Sequence, residues 1–247
     1  MAIKTSLKYS INFDPVKRKS KQIKFLIFHY TGMKRETDAI NRLIGMQSEV
    51  SAHYLIKNNG EIVVMVPDLY IAWHAGRSSW KNYDSLNKYS IGIEISNPGH
   101  QFKYKKYSKK QINSLIKLSK FLIKKYKINP KNILGHSDIA PDRKKDPGEK
   151  FPWKYLSKNK ISIWHTLTNK TLKGSRNSKI DNEAKILFLN NLFKIGYSKK
   201  IPKYINKSRY FTFIIKSFQR RYRQELINGK IDEECVLISK NIIKKIY

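Results

Sequence analysis

Residues 23–30 read Ile-Lys-Phe-Leu-Ile-Phe-His-Tyr, an apolar run of strand length. A period of two puts Ile23, Phe25, Ile27 and His29 on one face. His29 closes this strand, and Thr31-Gly32 turns the chain. Residues 37–48 place Ile40, Leu43, Ile44 and Gln47 on one helical stripe. Residues 52–57 and 61–66 flank Asn58-Asn59-Gly60, a hairpin signal. Residues 90–95 alternate, with Ile91, Ile93 and Ile95 on one face and Gly92 and Glu94 on the other. Ser108 and Gln111 read as a capping box. The helix behind it carries Ile112, Leu115, Ile116, Leu122, Ile123 and Tyr126, and Asn129-Pro130 ends it. Residues 132–135 form a short strand that delivers His136.

Beyond this the pattern changes. Residues 157–182 are rich in Ser, Lys, Asn and Thr and read as a linker. From residue 183 three helical stripes follow, led by Leu187 to Phe193, Tyr210 to Tyr222, and Val236 to Ile243. The reading is an α/β fold: a mixed central β-sheet flanked by helices over 1–156, then the linker, then a small C-terminal three-helix domain over 183–247.

Composition narrows the function classes. The 51 Lys and Arg against 18 Asp and Glu give a formal charge of +33, which suits a polyanionic partner. The basic residues are spread along the chain, which favours general lysine usage, and no nucleic-acid-binding motif stands out, so no specific nucleic acid is expected. The one cysteine, Cys235, excludes an intramolecular disulfide and lies in an apolar run. Met1 to Lys24 holds no apolar leader core, and no run is long enough to span a membrane. The expectation is a cytoplasmic monomer, or a periplasmic one if a leader has been removed.

Candidate chemistry concentrates between Gly135 and Trp153, where Pro and Gly preclude continuous helix or strand. Pro147 biases Asp146 toward an extended conformation, so Lys144 and Asp146 share a face and Lys145 points away. A catalytic zinc site takes three protein ligands from His and carboxylates, and His29, His136 and Asp146 fit that inventory. Glu94 suits a base for attacking water, and Lys144 suits an oxyanion stabiliser. Spacing alone leaves other readings open: a structural histidine, a solvated glutamate, an ordinary Asp-Pro-Gly turn.

Five motifs in order carry a resemblance: His29-Tyr30-Thr31, Ser51-Ala52-His53-Tyr54-Leu55-Ile56, Ala72-Trp73-His74-Ala75-Gly76, Ile91-Gly92-Ile93-Glu94 and Gly135-His136-Ser137-Asp138-Ile139-Ala140-Pro141. With Arg143 to Gly148 they resemble the zinc-dependent N-acetylmuramoyl-L-alanine amidases of the type-2 fold, over roughly residues 20–155. The resemblance implies zinc ligands at His29, His136 and Asp146, a catalytic glutamate at Glu94 and a catalytic lysine at Lys144. It implies hydrolysis of the bond between N-acetylmuramic acid, or its 1,6-anhydro form, and L-alanine in peptidoglycan or muropeptides. Asp142 departs from the family, where glycine is common. Tyr30, Trp73, His74, Arg77 and Trp80 are read as substrate-groove residues; for Trp73 and Trp80 the alternative is that they cover the core. Ser217-Phe218-Gln219-Arg220-Arg221-Tyr222-Arg223 and Ile227 to Asp232 resemble the three-helix peptidoglycan-binding module, with Asp232 capping the last helix. The rival reading is a non-catalytic peptidoglycan-binding or sensing protein.

Overall fold

In the computed structural model residues 5–247 are described. Residues 1–4, part of the expected first domain, lie outside the described residues. The strands are β1 (Thr5–Leu7), β2 (Phe13–Asp14), β3 (Phe25–Tyr30), β4 (Tyr54–Ile56), β5 (Ile62–Val64), β6 (Ile71–Ala72), β7 (Ser79–Trp80), β8 (Tyr83–Asp84), β9 (Ser90–Ile95) and β10 (Ile133–Gly135). The helices are α1 (Glu36–Ile44), α2 (Lys109–Tyr126), α3 (His136–Ile139), α4 (Trp153–Lys158), α5 (Asn169–Ser175), α6 (Asn182–Ile195), α7 (Lys207–Tyr222) and α8 (Glu233–Ile246).

The central sheet has six strands in the order β1-β5-β4-β9-β3-β10. Only β4 and β5 pair antiparallel, as the hairpin around Asn58-Asn59-Gly60; the other neighbours are parallel. This is the mixed sheet expected. Parallel strands need cover on both faces, which is why β3 is apolar from Phe25 to Phe28. Leu26, Phe28, Ile91, Ile93 and Ile95 face α2 through Ile112, Leu115, Leu118 and Leu122. Ile23 joins that same layer, not Phe25 and Ile27, because the strand begins only at Phe25 and alternation does not reach back past it. On the opposite face α1 covers Leu55 and Val63 with Ile40 and Leu43.

Helix boundaries follow the local signals. Ser108 Oγ accepts from the Gln111 backbone N–H at 3.1 Å, and Gln111 Oε1 accepts from the Ser108 N–H at 3.0 Å, so α2 starts at its capping box. Asp232 Oδ1 accepts from the Cys235 N–H at 3.1 Å and opens α8. Helix α1 stops at Ile44, short of the expected residue 48, because Gly45 leaves helical geometry and a 3-10 turn follows. No helix among the described residues is long and apolar enough to cross a membrane.

The C-terminal helices do not stand apart. Phe188, Leu192, Tyr210, Ile214, Phe218 and Tyr222 form one cluster with Phe25, Ile27 and Leu134, so they cover the remaining face of the sheet. Residues 157–182, expected as a linker, hold α5 and bury Ile161, with Leu167 and Leu172 packed partly under the same helices. A polar bolt joins α3 to α7. Asp138 Oδ2 accepts from Arg221 Nη1 at 2.5 Å and from the Gly135 N–H at 2.8 Å, and its Oδ1 accepts from the Tyr197 hydroxyl at 2.9 Å. Arg221 also donates to the Ile133 carbonyl at 2.8 Å and lies 4.2 Å over the Trp153 ring.

Asp138 and Arg221 are 2% and 3% exposed. Removing one member of a buried pair strands the other's charge, so Arg221→Ala should lower unfolding free energy by about 3–5 kcal/mol. Urea denaturation of the two proteins checks this; a loss below about 1 kcal/mol, the value of a surface pair, contradicts it.

Candidate metal centre and active site

Register places the key side chains. In the β3–β9 pair His29 stands opposite Glu94, and in the β10–β3 pair Gly135 stands opposite Phe28. His136 therefore steps off β10 beside His29, at the carboxyl ends of adjacent parallel strands, where open α/β sheets build their sites. Asp146 returns to this point because the Ser137 N–H donates to its carbonyl at 2.9 Å. A Cβ on Gly135 would stand 2.6 Å from Pro147 Cδ, so the return path needs glycine there.

Three donor atoms close on one point. His29 Nδ1 lies 2.9 Å from His136 Nδ1 and 3.1 Å from Asp146 Oδ2, and His136 Nδ1 lies 3.0 Å from the same oxygen. All three residues are buried, and this group is able to hold a metal ion. His136 Nε2 meets the Ala75 carbonyl at 3.2 Å. A carbonyl only accepts, so this nitrogen carries the ring proton and Nδ1 keeps its lone pair.

The electrostatics agree with a cation at this point. Burial lowers the His29 pKa to about 4, and the neighbouring His136 pushes the same way. Burial works to raise the Asp146 carboxyl, but His136 and His29 outweigh it and hold it well below the usual carboxylate range. Glu94 is pushed up to about 8 by burial first and by the Asp146 charge second, against the pull of Lys144. Its Oε2 is buried without a hydrogen-bond partner. Glu94, Lys144, Tyr30 and Trp73 line one cavity of about 520 Å³ with the three donors' His136 and Asp146.

Other expected groove residues separate. His74 is 8% exposed, and both ring nitrogens are engaged inside: Nδ1 lies 3.1 Å from His29 Nε2 and Nε2 lies 3.2 Å from Ser90 Oγ. Its ring touches the cavity with no polar atom left for a substrate. Trp80 is buried and packs edge-on to Tyr197 at 5.0 Å, so it covers the core and not the groove. Arg77 pairs with Asp142 at 3.0 Å and lies over Tyr204, in a neighbouring depression. Lys145, expected to point away, lines the cavity with Lys144, because the turn from Ala140 ends in irregular backbone and not in a strand. Sequence reasoning missed His100 and Arg42; Arg143, expected to pin the loop by hydrogen bonds, donates to the Ala75 carbonyl at 2.7 Å. His100 Nδ1 lies 2.8 Å from the Tyr30 hydroxyl and its Nε2 lies 3.0 Å from Glu149 Oε2. It sits in an irregular loop, where no periodicity could reveal it.

Residues 19–149 match the family model described as N-acetylmuramoyl-L-alanine amidase. The chain belongs to that amidase family. It is 35% identical over 238 residues to N-acetylmuramoyl-L-alanine amidase AmiD of Escherichia coli K12, covering 91% of this chain and 83% of AmiD. The structure of E. coli AmiD in complex with the substrate anhydro-N-acetylmuramic acid-L-Ala-D-gamma-Glu-L-Lys matches with a TM-score of 0.80 at 34% identity, covering 94% of this chain and 91% of that one. AmpDh3 of Pseudomonas aeruginosa in complex with anhydromuramic pentapeptide matches with a TM-score of 0.77 at 32% identity, covering 94% of each chain. The 1,6-anhydro-N-acetylmuramyl-L-alanine amidase AmpD of E. coli K12 is 44% identical over 104 residues, which is 42% of this chain and 55% of AmpD.

In this amidase the second motif histidine, His53, is structural. Its Nδ1 accepts from the Gly92 N–H at 3.0 Å, and Nε2 lies 3.1 Å from the Tyr70 carbonyl and 3.0 Å from Arg18 Nη2. Burial, then the Arg18 charge, lowers its pKa to about 3. Unfolding returns His53 and His29 to about 6.5. Between that value and about 3 to 4 the unfolded chain binds more protons than the folded one, so acid favours unfolding. Raised Glu94 works in the opposite direction and offsets the histidines near neutrality, so the urea midpoint of metal-free protein should fall from about pH 6 to pH 4. A midpoint flat across that window contradicts the neutral buried histidines.

Proposed function

We propose that this chain hydrolyses the amide bond between the lactyl carboxyl of N-acetylmuramic acid, or of 1,6-anhydro-N-acetylmuramic acid, and L-alanine in peptidoglycan or muropeptides, with zinc held by His29, His136 and Asp146. The observation that carries this is the closure of two imidazole nitrogens and one carboxylate oxygen on a single point beside the unpartnered carboxylate of Glu94. Tetrahedral zinc with bonds of about 2.0–2.1 Å holds its ligand atoms about 3.3 Å apart. The donors here stand 2.9, 3.0 and 3.1 Å apart, so the residues fit with little adjustment. Bound zinc supplies Lewis acidity to the scissile carbonyl and acidifies water.

The protein's own groups supply the proton transfers and the charge. Glu94, with a pKa pushed up near neutrality, takes the proton of the attacking water and passes it to the leaving amine of L-alanine. Lys144 stabilises the tetrahedral oxyanion; in support, its charge reaches both Glu94 and His29. Tyr30 and Trp73 offer aromatic faces to the sugar in the same cavity. Arg42, Arg143 and Lys145 surround it with positive charge, which suits the carboxylates of a peptide stem. The anhydro-muramyl ligands of AmiD and AmpDh3 support that substrate class. Residues 183–247 are proposed as the polymer-binding unit on the strength of their sequence resemblance, in addition to their packing on the sheet.

Glu94→Gln should lower kcat by about 10²- to 10⁴-fold while zinc content stays unchanged. Mass spectrometry of muropeptide digests, with metal analysis of the same samples, reads both quantities. Undiminished release of the peptide sinks the base assignment. Exhaustive chelation should abolish cleavage of anhydro-muropeptides and of intact wall, and added zinc should restore it; a rate indifferent to chelator overturns the metal assignment.

A further inference from the structure

Behind His29 a chain of hydrogen bonds runs inward from the metal-facing ring. His29 Nε2 lies 3.1 Å from His74 Nδ1, His74 Nε2 lies 3.2 Å from Ser90 Oγ, and Ser90 Oγ donates to the Leu86 carbonyl at 2.6 Å. The direction of every bond in this chain follows from its last member. The Leu86 carbonyl can only accept, so it takes the one hydroxyl proton of Ser90. Ser90 Oγ then has only lone pairs to offer, and His74 must donate to it from a protonated Nε2. A neutral His74 with its proton on Nε2 has a bare Nδ1, which accepts from His29 Nε2–H. His29 in turn is left with its lone pair on Nδ1, the atom that faces His136 and Asp146.

We propose that His74 is a positioning residue that fixes the tautomer and ring plane of His29, and through them the affinity of the centre for zinc. This rests on the metal assignment made above. The role is distinct from that of a groove wall, because both polar atoms of His74 are occupied within the fold. The second imidazole ligand has the matching arrangement, with His136 Nε2 bonded to the Ala75 carbonyl at 3.2 Å. His29 differs because it lies inside the sheet, where the neighbouring backbone groups are spent on strand pairing, so a side chain must serve as its acceptor.

The fold makes room for this side chain specifically. A Cβ at Gly92 would stand 2.3 Å from His74 Cγ and 2.6 Å from its Nδ1. The imidazole therefore lies flat against the backbone of β9, two residues before Glu94. Ser90, the next residue on that face of β9, is fully buried with its hydroxyl on the imidazole. The alternation Ser90, Gly92, Glu94 thus reads as anchor, cradle and catalytic group along one face of a single strand.

The test compares zinc affinity, measured by competition with a chromogenic chelator, in full-length wild type, His74→Leu and His74→Asn. His74→Leu leaves His29 Nε2–H without an acceptor and should bind zinc about 10- to 100-fold more weakly. His74→Asn places an amide oxygen where Nδ1 stood and should recover most of that loss. Wild-type protein that fails to bind zinc overturns the metal assignment and this role together. Tight binding by wild type with equal binding by His74→Leu overturns the positioning role alone, as does an asparagine variant no better than the leucine one. Should His74→Leu fail to fold, long-range ¹⁵N–¹H correlation of the wild-type imidazoles decides the matter: His74 protonated on Nε2 is the expected result, and a proton on its Nδ1 overturns the proposal.

Discussion

Parallel pairing of β10, β3 and β9 is the constraint on which the rest of the molecule depends. His29 and His136 are separated by 107 positions, yet they meet because adjacent parallel strands end on the same edge. A slip of one residue between β3 and β9 would turn Glu94 to the face away from His29. The register is held beyond the strand ends, where Lys24 N–H donates to the Tyr89 carbonyl at 2.8 Å and Thr31 N–H to the Ile95 carbonyl at 3.2 Å. It is held also by the apolar layers, since every isoleucine of β9 packs with Leu26 and Phe28 toward α2.

Such a sheet needs cover on both faces, and this explains the fate of the C-terminal helices. The α2 side is closed by α2 together with Phe151, Trp153, Leu156 and Ile161. The other side is closed largely by α6, α7 and α8, which share one apolar cluster with Phe25 and Ile27. The contact is not only apolar. Arg221 reaches from α7 to Asp138, within the helix that begins at His136, and Ser217 Oγ donates to the Ser137 carbonyl at 2.6 Å. Packing of the helical region and placement of a candidate metal ligand are thus one structural problem.

The distribution of acids clarifies the charge. Only 18 Asp and Glu oppose 51 Lys and Arg, and among those acids Asp68, Asp138, Asp146, Asp232 and Glu234 are buried. Each is bonded to lysine, arginine, histidine or tyrosine within the fold. A buried carboxylate without such partners would cost several kcal/mol. Interior pairing removes acids from a surface that already has few, so the exterior is more one-sided in charge than composition alone suggests. Glu94 is the exception, with one oxygen buried and unpaired.

The sequence by itself determined the elements and the inventory of the site. Strand and helix periods are local, so β3, β9, α2 and the hairpin are legible from spacing, while His29, Glu94, His136, Lys144 and Asp146 fall at strand ends and in a Pro-Gly loop and are singled out by the five-motif resemblance. Tertiary structure alone decided which way the remaining motif residues turn. His74 faces inward to His29, Trp80 packs on Tyr197, and a segment rich in serine and lysine is folded under the C-terminal helices. The reason is that apolar attraction is non-directional: a hydrophobic stripe or an indole declares that it will be buried, but not against what. A hydrogen-bond chain such as Leu86, Ser90, His74 and His29 acquires its direction only when four residues from three segments are brought within bonding distance.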